Sequence, residues 1–115
     1  MPNHDLGEIY WVESVYTDNP EESKVRPAVI VAESEENVYV LVTTTTKGPH
    51  TPRKYHDKYK HPILNWRQAK LPDASWARCE VLVELPKEAL TNYIGKMHEF
   101  DYRRLIDFLE TIDED

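Results

Sequence analysis

A single cysteine, Cys79, occurs in the chain, so no internal disulfide can form, and a cytoplasmic setting is the expectation. No apolar run approaches the ~18 residues a membrane helix requires, which removes a helical membrane span and a membrane partner from consideration. The opening residues, Met1-Pro2-Asn3-His4-Asp5, have neither the charged nor the apolar region of a signal peptide. Neither an internal repeat nor a low-complexity tract is present, which leaves one domain over residues 1–115. Basic residues are also in deficit. The net charge of -7 argues at first against a nucleic-acid partner.

The distribution of charge reverses that argument. Lys47, Arg53, Lys54, Lys58, Lys60, Arg67, Lys70 and Arg78 fall in one stretch opposed only by Asp57 and Asp73, which gives the stretch +6 and the rest of the chain -13. A basic centre in an acidic chain fits a localised anion-binding face, and it also fits a solvated lysine-rich loop.

The apolar pattern predicts a mostly β, α+β domain. Gly7–Val12 is aromatic and β-branched and reads as a strand. Ser14–Lys24 has turn formers and no apolar period, so a loop is expected. Arg26–Ala32 is a continuous apolar run, with Pro27 confined to its start or to an edge. Val38–Val42 is a third strand running into Thr43–Thr46, and these two strands suit an antiparallel hairpin. Lys47–His61 reads as a long exposed loop, with a short strand near Ile63-Leu64 and a helical turn at Asn65–Ala69. Ser75–Val83 alternates as a strand, Pro86–Leu90 as a turn or helix start, and Tyr93–Met97 as a last short strand. The clearest element is an amphipathic helix over Phe100–Ile112, where Tyr102, Leu105, Ile106, Leu109 and Ile112 share one face. Strands followed by a closing helix predict a small curled sheet or barrel with the helix packed on it.

An ordered set of segments resembles the MazF/PemK family of toxin endoribonucleases, with its Kid-like branch. The set is Gly7–Val12, Lys24–Val31, the strand ending in Thr43–Thr46, Asn65–Leu71, Ser75–Glu80, and Ile94–Met97 before the terminal helix. Each piece is weak alone, and the order is what is specific. The resemblance implies an SH3-like small barrel with a C-terminal helix. It also implies a homodimer, metal-free cleavage of single-stranded RNA such as mRNA, and a cognate antitoxin protein that neutralises the toxin.

Such cleavage needs a base for the ribose 2′-hydroxyl, an acid for the leaving 5′ oxygen, and cations for the phosphorane. Arg26 matches the family's catalytic arginine, and a planar guanidinium suits two phosphate oxygens at once. Position alone fits a structural ion pair equally. The resemblance also asks for a Ser or Thr at the end of the next strand. Thr45 fits that place, or Thr43 if the strand is shorter, and period two puts both on one face.

Arg78-Cys79-Glu80 matches the Kid-like Arg-x-Asp with a longer carboxylate, which makes Arg78 and Glu80 the expected acid and base; an exposed salt bridge is the alternative. The histidine that this branch carries in its first loop has no counterpart in Ser14–Lys24. His50, His56 or His61 could supply the missing function. Their spacing is not a zinc pattern, so no metal or other cofactor is expected.

The expected substrate contacts are Lys24, Thr43, Lys47, His50, Tyr55, His56 and Arg67, with Tyr55 and Tyr59 suited to base stacking. Two other functions fit the same fold: a CcdB-like toxin that binds gyrase, and a catalytically inactive RNA-binding relative.

Overall fold

The computed structural model describes residues 5–15, 23–44, 59–79 and 82–113. Among these residues seven antiparallel strands, a short 3-10 helix and one α-helix follow in the order β1 (Glu8–Val15), β2 (Ser23–Glu33), β3 (Asn37–Thr44), β4 (Lys60–Pro62), β5 (Trp76–Arg78), β6 (Val83–Pro86), the 3-10 turn Lys87–Ala89 that meets the expected turn or helix start at Pro86–Leu90, β7 (Asn92–Lys96) and α1 (Glu99–Asp113). The strands lie side by side as β4-β5-β3-β2-β1-β7, with β6 also paired to β3. Among the described residues no ladder joins β4 to β7, so the expected curled sheet is present and stays open.

Both faces of the sheet are apolar, and α1 packs on one of them. On the covered face Ile9, Val29 and Leu41 stand in register and join Ile63, Ala69, Leu71, Ala77, Cys79, Met97 and Leu105 in one core. From α1, Tyr102, Phe108, Leu109 and Ile112 pack against it. Phe108 thus contributes where the periodicity pointed to Ile106. Across the sheet, Tyr10, Val12, Ala28, Ile30, Val38, Val40, Val42 and Leu90 form a second core. Burial along β3 is continuous from Val40 to Thr44, with successive residues turned to the two cores, which explains why its sequence carries no polar face there.

Pairing lengthens some elements beyond their sequence signal. Ser14 pairs with Lys24 and Val15 with Ser23, so β1 and β2 extend into the stretch read as a loop. The expected strand near Ile63-Leu64 lies earlier, at β4, inside the stretch read as loop to His61. The expected strand Ser75–Val83 is divided. β5 runs along the Thr43–Thr44 end of β3 and β6 along its Asn37–Val40 end, in the same direction. The Cys79 N–H donates to the Tyr59 carbonyl (2.9 Å) in the register of the Lys60–Arg78 pair, which carries the β4–β5 pairing one residue past Arg78.

Residues 64–70 form one helical turn. It closes with Lys70 N–H on the Arg67 carbonyl (3.1 Å) and Leu71 N–H on the Trp66 carbonyl (3.0 Å), a Schellman ending with Lys70 at φ 69°. Its start is held from α1, where buried Asp101 accepts the Asn65 N–H through Oδ2 (2.7 Å). The helix itself begins on an imidazole. His98 Nδ1 accepts the Phe100 N–H (3.2 Å), and Glu99 and Asp101 in the first turn complement the helix dipole. No helix among the described residues is long and apolar enough to cross a membrane.

Candidate active site

The ladders place chemistry-bearing residues in rows. Arg26 pairs with Val12 on β1. The β2–β3 register, continued from Ala28↔Val42, brings Arg26 opposite Thr44. Thr44 pairs with Trp76, and Trp76 with Pro62. One row along, Tyr10 pairs with Ala28 and Ala28 with Val42. Arg78 lies beyond Val42 in that row and pairs with Lys60. Arg26, Thr44, Trp76, Arg78 and Lys60 therefore share one face, the face away from α1. Two strand spacings and two residues separate the Arg26 and Arg78 backbones, about 12 Å. Arg26, Trp76, Arg78 and Lys60 are half-buried, and Thr44 is buried.

Thr43 is on the other side. It is 2% exposed and its Oγ1 donates to the Pro27 carbonyl (2.9 Å), in a row with Ala77 and His61. The hydroxyl cross-links β3 to β2 in the interior, which gives Thr43 a structural contact on the face opposite Arg26. The described hydroxyl on the Arg26 face is Thr44, a residue that sequence reasoning passed over. Thr45 lies outside the described residues.

Other expected members fall in different places. Glu80, Lys47, His50, Tyr55 and His56 lie outside the described residues. β5 ends at Arg78, and the expected alignment of Glu80 with it lies outside the described residues. The backbone of Lys24 pairs with Ser14, and its side chain is outside the description. Arg67 is exposed on the helical turn, with its guanidinium 5.0 Å from the centre of the Trp66 ring.

His61 is turned away from Arg26. It stacks on Phe108 of α1 with ring centres 5.2 Å apart. Burial pushes its imidazole below the ordinary histidine range, Asp101 pulls the other way, and Arg104 adds to the lowering. Among the described residues no three His, Cys, Asp or Glu side chains form a group that could hold a metal ion.

An open groove of about 370 Å³ adjoins the Arg26 row, lined by Trp11, Val12, Glu13, Val25, Leu85, Ala89, Thr91 and Asn92. It brings a wall that is largely apolar up to Val12, the ladder partner of Arg26. Cations and a hydroxyl on one face beside such a groove can hold a phosphodiester and stabilise added charge on phosphorus.

Comparison with known proteins agrees with this architecture. Residues 5–113 match the family model described as "PemK-like, MazF-like toxin of type II toxin-antitoxin system". The toxin MazF-mt6 of Mycobacterium tuberculosis superposes with a TM-score of 0.66 at 19% identity, covering 93% of this chain and 96% of that one. An endoribonuclease from a mycobacterial species gives 0.68 at 16% identity, with 97% and 93% covered. A mycobacterial endoribonuclease in complex with its cognate antitoxin gives 0.68 at 16% identity, with 95% and 93% covered. At these identities the likeness establishes the fold. No curated protein matches the chain by sequence.

Proposed function

This chain belongs to the PemK-like, MazF-like toxin family of type II toxin–antitoxin systems, and on that premise we propose that it is a metal-independent endoribonuclease cutting single-stranded RNA, mRNA included, at a short sequence. It acts in the cytoplasm as a homodimer and is held inactive by a cognate antitoxin protein. The observation that carries this reading is the shared face of Arg26, Thr44 and Arg78, reached through two consecutive ladders.

On this face the ribose 2′ oxygen attacks the adjacent phosphorus. Arg26 neutralises the non-bridging oxygens as charge accumulates, and the Thr44 hydroxyl donates to the same group. A half-buried guanidinium two residues before the buried part of β2 is pre-oriented for this, since its backbone is paired with Val12 on β1. Arg78 delivers a proton to the departing 5′ oxygen. Glu80 takes the 2′ proton, in keeping with the Arg-x-acid pattern of the Kid-like branch. The products carry a 2′,3′-cyclic phosphate on one fragment and a 5′-hydroxyl on the other. Thr45 is the alternative source of the hydroxyl.

The test is cleavage of a long single-stranded RNA in EDTA by the wild type and by Arg26→Ala. Discrete fragments ending in cyclic phosphate are expected from the wild type alone. Equal cleavage by both proteins would sink the role of Arg26. Growth arrest that persists in Arg26→Ala without RNA fragments would favour the gyrase-binding function, and salt-sensitive RNA binding without product the inactive relative.

A further inference from the structure

Trp76 is held by pairing on both sides. It stands opposite Thr44 across the β3–β5 ladder and opposite Pro62 across the β4–β5 ladder. Side chains so paired have Cβ atoms roughly 5 Å apart, so the indole starts beside the Thr44 hydroxyl, with Arg26 one strand further along the same row. Arg78 is two residues on in β5 and shares its face. The other two tryptophans are placed differently. Trp66 packs against the core beneath α1 and has the Arg67 guanidinium 5.0 Å from its ring centre. Trp11 pairs with Pro27, in the row of Thr43 on the opposite face. Among the described residues neither apolar core includes Trp76, which is half-buried. A large aromatic ring is thus set on a paired strand, between a hydroxyl and a proline, on the face that carries the arginines.

We propose that Trp76 is the base-stacking residue of this face: its indole receives the base of the nucleotide next to the scissile phosphate, while Arg26 and Thr44 hold that phosphate. The proposal rests on the nuclease reading above. Unpaired RNA offers its bases for stacking on aromatic side chains, and sites for single strands set such rings among the groups that follow the backbone. A tryptophan on a strand paired on both sides loses little freedom when a base arrives, because its backbone is already fixed and its side chain has few torsions. Stacking there draws one base out of the strand's own stack and fixes the sugar attached to it. The 2′-hydroxyl and its phosphate then arrive together at the Arg26–Thr44 row. Every base has a π face, so this contact sets affinity and the position of the strand, and leaves the reading of sequence to other groups.

The experiment compares wild type, Trp76→Leu and Trp76→Phe. Cut sites are first mapped on a long RNA. A labelled, uncleavable 2′-O-methyl oligonucleotide spanning one cut site is then made intact and with a single abasic residue at each position in turn, and binding is followed by anisotropy alongside thermal unfolding. For the wild type, removing the base at one position beside the cut should lower affinity about 5- to 100-fold, the range for one lost base–aromatic stack. Trp76→Leu should show a loss of that size on the intact oligonucleotide and no further loss from the abasic residue at that position. Elsewhere along the strand its abasic penalties should equal those of the wild type. The slope of log affinity against log salt should stay the same, because no phosphate contact is removed. Trp76→Phe should fall between the two.

Abasic penalties that are the same in Trp76→Leu as in the wild type at every position would overturn the stack. A lowered unfolding temperature with affinity for the intact oligonucleotide retained would make Trp76 a structural residue and overturn it equally. Where Trp76→Leu does not fold, Trp76→Phe decides: a smaller abasic penalty than the wild type at the position beside the cut supports the stack, and an equal one overturns it. Failure of the wild type to bind RNA at all strikes the nuclease reading itself, and is thereby distinguished from failure of the stack.

Discussion

Lys70 and Gly95 are packed against one another with their expected conformational roles exchanged. Lys70, which carries a Cβ, takes the left-handed backbone at φ 69° that ends the helical turn. Gly95 sits in β7 without a positive φ. A Cβ built on it would collide with the Ala69 carbonyl oxygen and lie 3.0 Å from the Lys70 Cβ. The glycine is required by close approach of the turn, and the lysine tolerates strain so that the turn can end there.

Replacing Lys70 by glycine should therefore stabilise the fold by about 1 kcal/mol, the approximate cost of a left-handed residue with a Cβ. Gly95→Ala should destabilise it by about 1–3 kcal/mol through overpacking against backbone. Urea unfolding of both variants checks the pair. A neutral Gly95→Ala would show that the turn can retreat from β7.

Loss of the Arg26 guanidinium should lower cleavage by about 100- to 1,000-fold, in the range found when one donor to a developing oxyanion is removed. Arg26→Lys should recover little of it, because an ammonium cannot span two phosphate oxygens in one plane. Unfolding temperature and RNA fragmentation measured together separate a catalytic loss from a folding loss.

The neighbouring threonines should behave differently. Thr43→Val removes the hydroxyl that donates to the Pro27 carbonyl and should cost about 1 kcal/mol of stability, with cleavage by the folded protein retained. Thr44→Val should reduce cleavage and Thr44→Ser should preserve most of it. Single-turnover rates under conditions where all variants are folded give the comparison.

Stability should fall with acid in a window set by His61. Burial holds its imidazole below the ordinary range, so a proton binds more readily in the unfolded chain than in the folded one. The stabilisation from the neutral ring is complete above the unfolded value of about 6.5 and is lost progressively as pH drops below it. His61→Phe keeps the stack on Phe108 and should flatten that part of the curve of unfolding temperature against pH.

Much of the scaffold was legible because its elements carry their own period. Leu105 and Leu109 announce a helix, and Arg26–Ala32 announces a buried strand, without reference to any other segment. The short strands were not legible in this way. Lys60-His61-Pro62 has no apolar pattern, and it is a strand only because β5 pairs with it. The three residues of β5 likewise take their place from pairing with β3 and β4. For the same reason Thr44 could not be singled out within a run of four threonines. Which hydroxyl faces Arg26 is a property of the register between β2 and β3, and neither strand encodes it alone. Arg26, by contrast, was recognisable from Arg-Pro at a strand start.

The anchoring of β4 also bears on how such a protein can diversify. His61 against Phe108 and the backbone bonds at Tyr59 and Ile63 fix where the chain re-enters the sheet after Thr44. Insertions, deletions or wholesale exchange of the intervening segment are then absorbed before Tyr59. Sequence between Thr44 and Tyr59 can then change while the face that carries Arg26, Thr44 and Arg78 keeps its register.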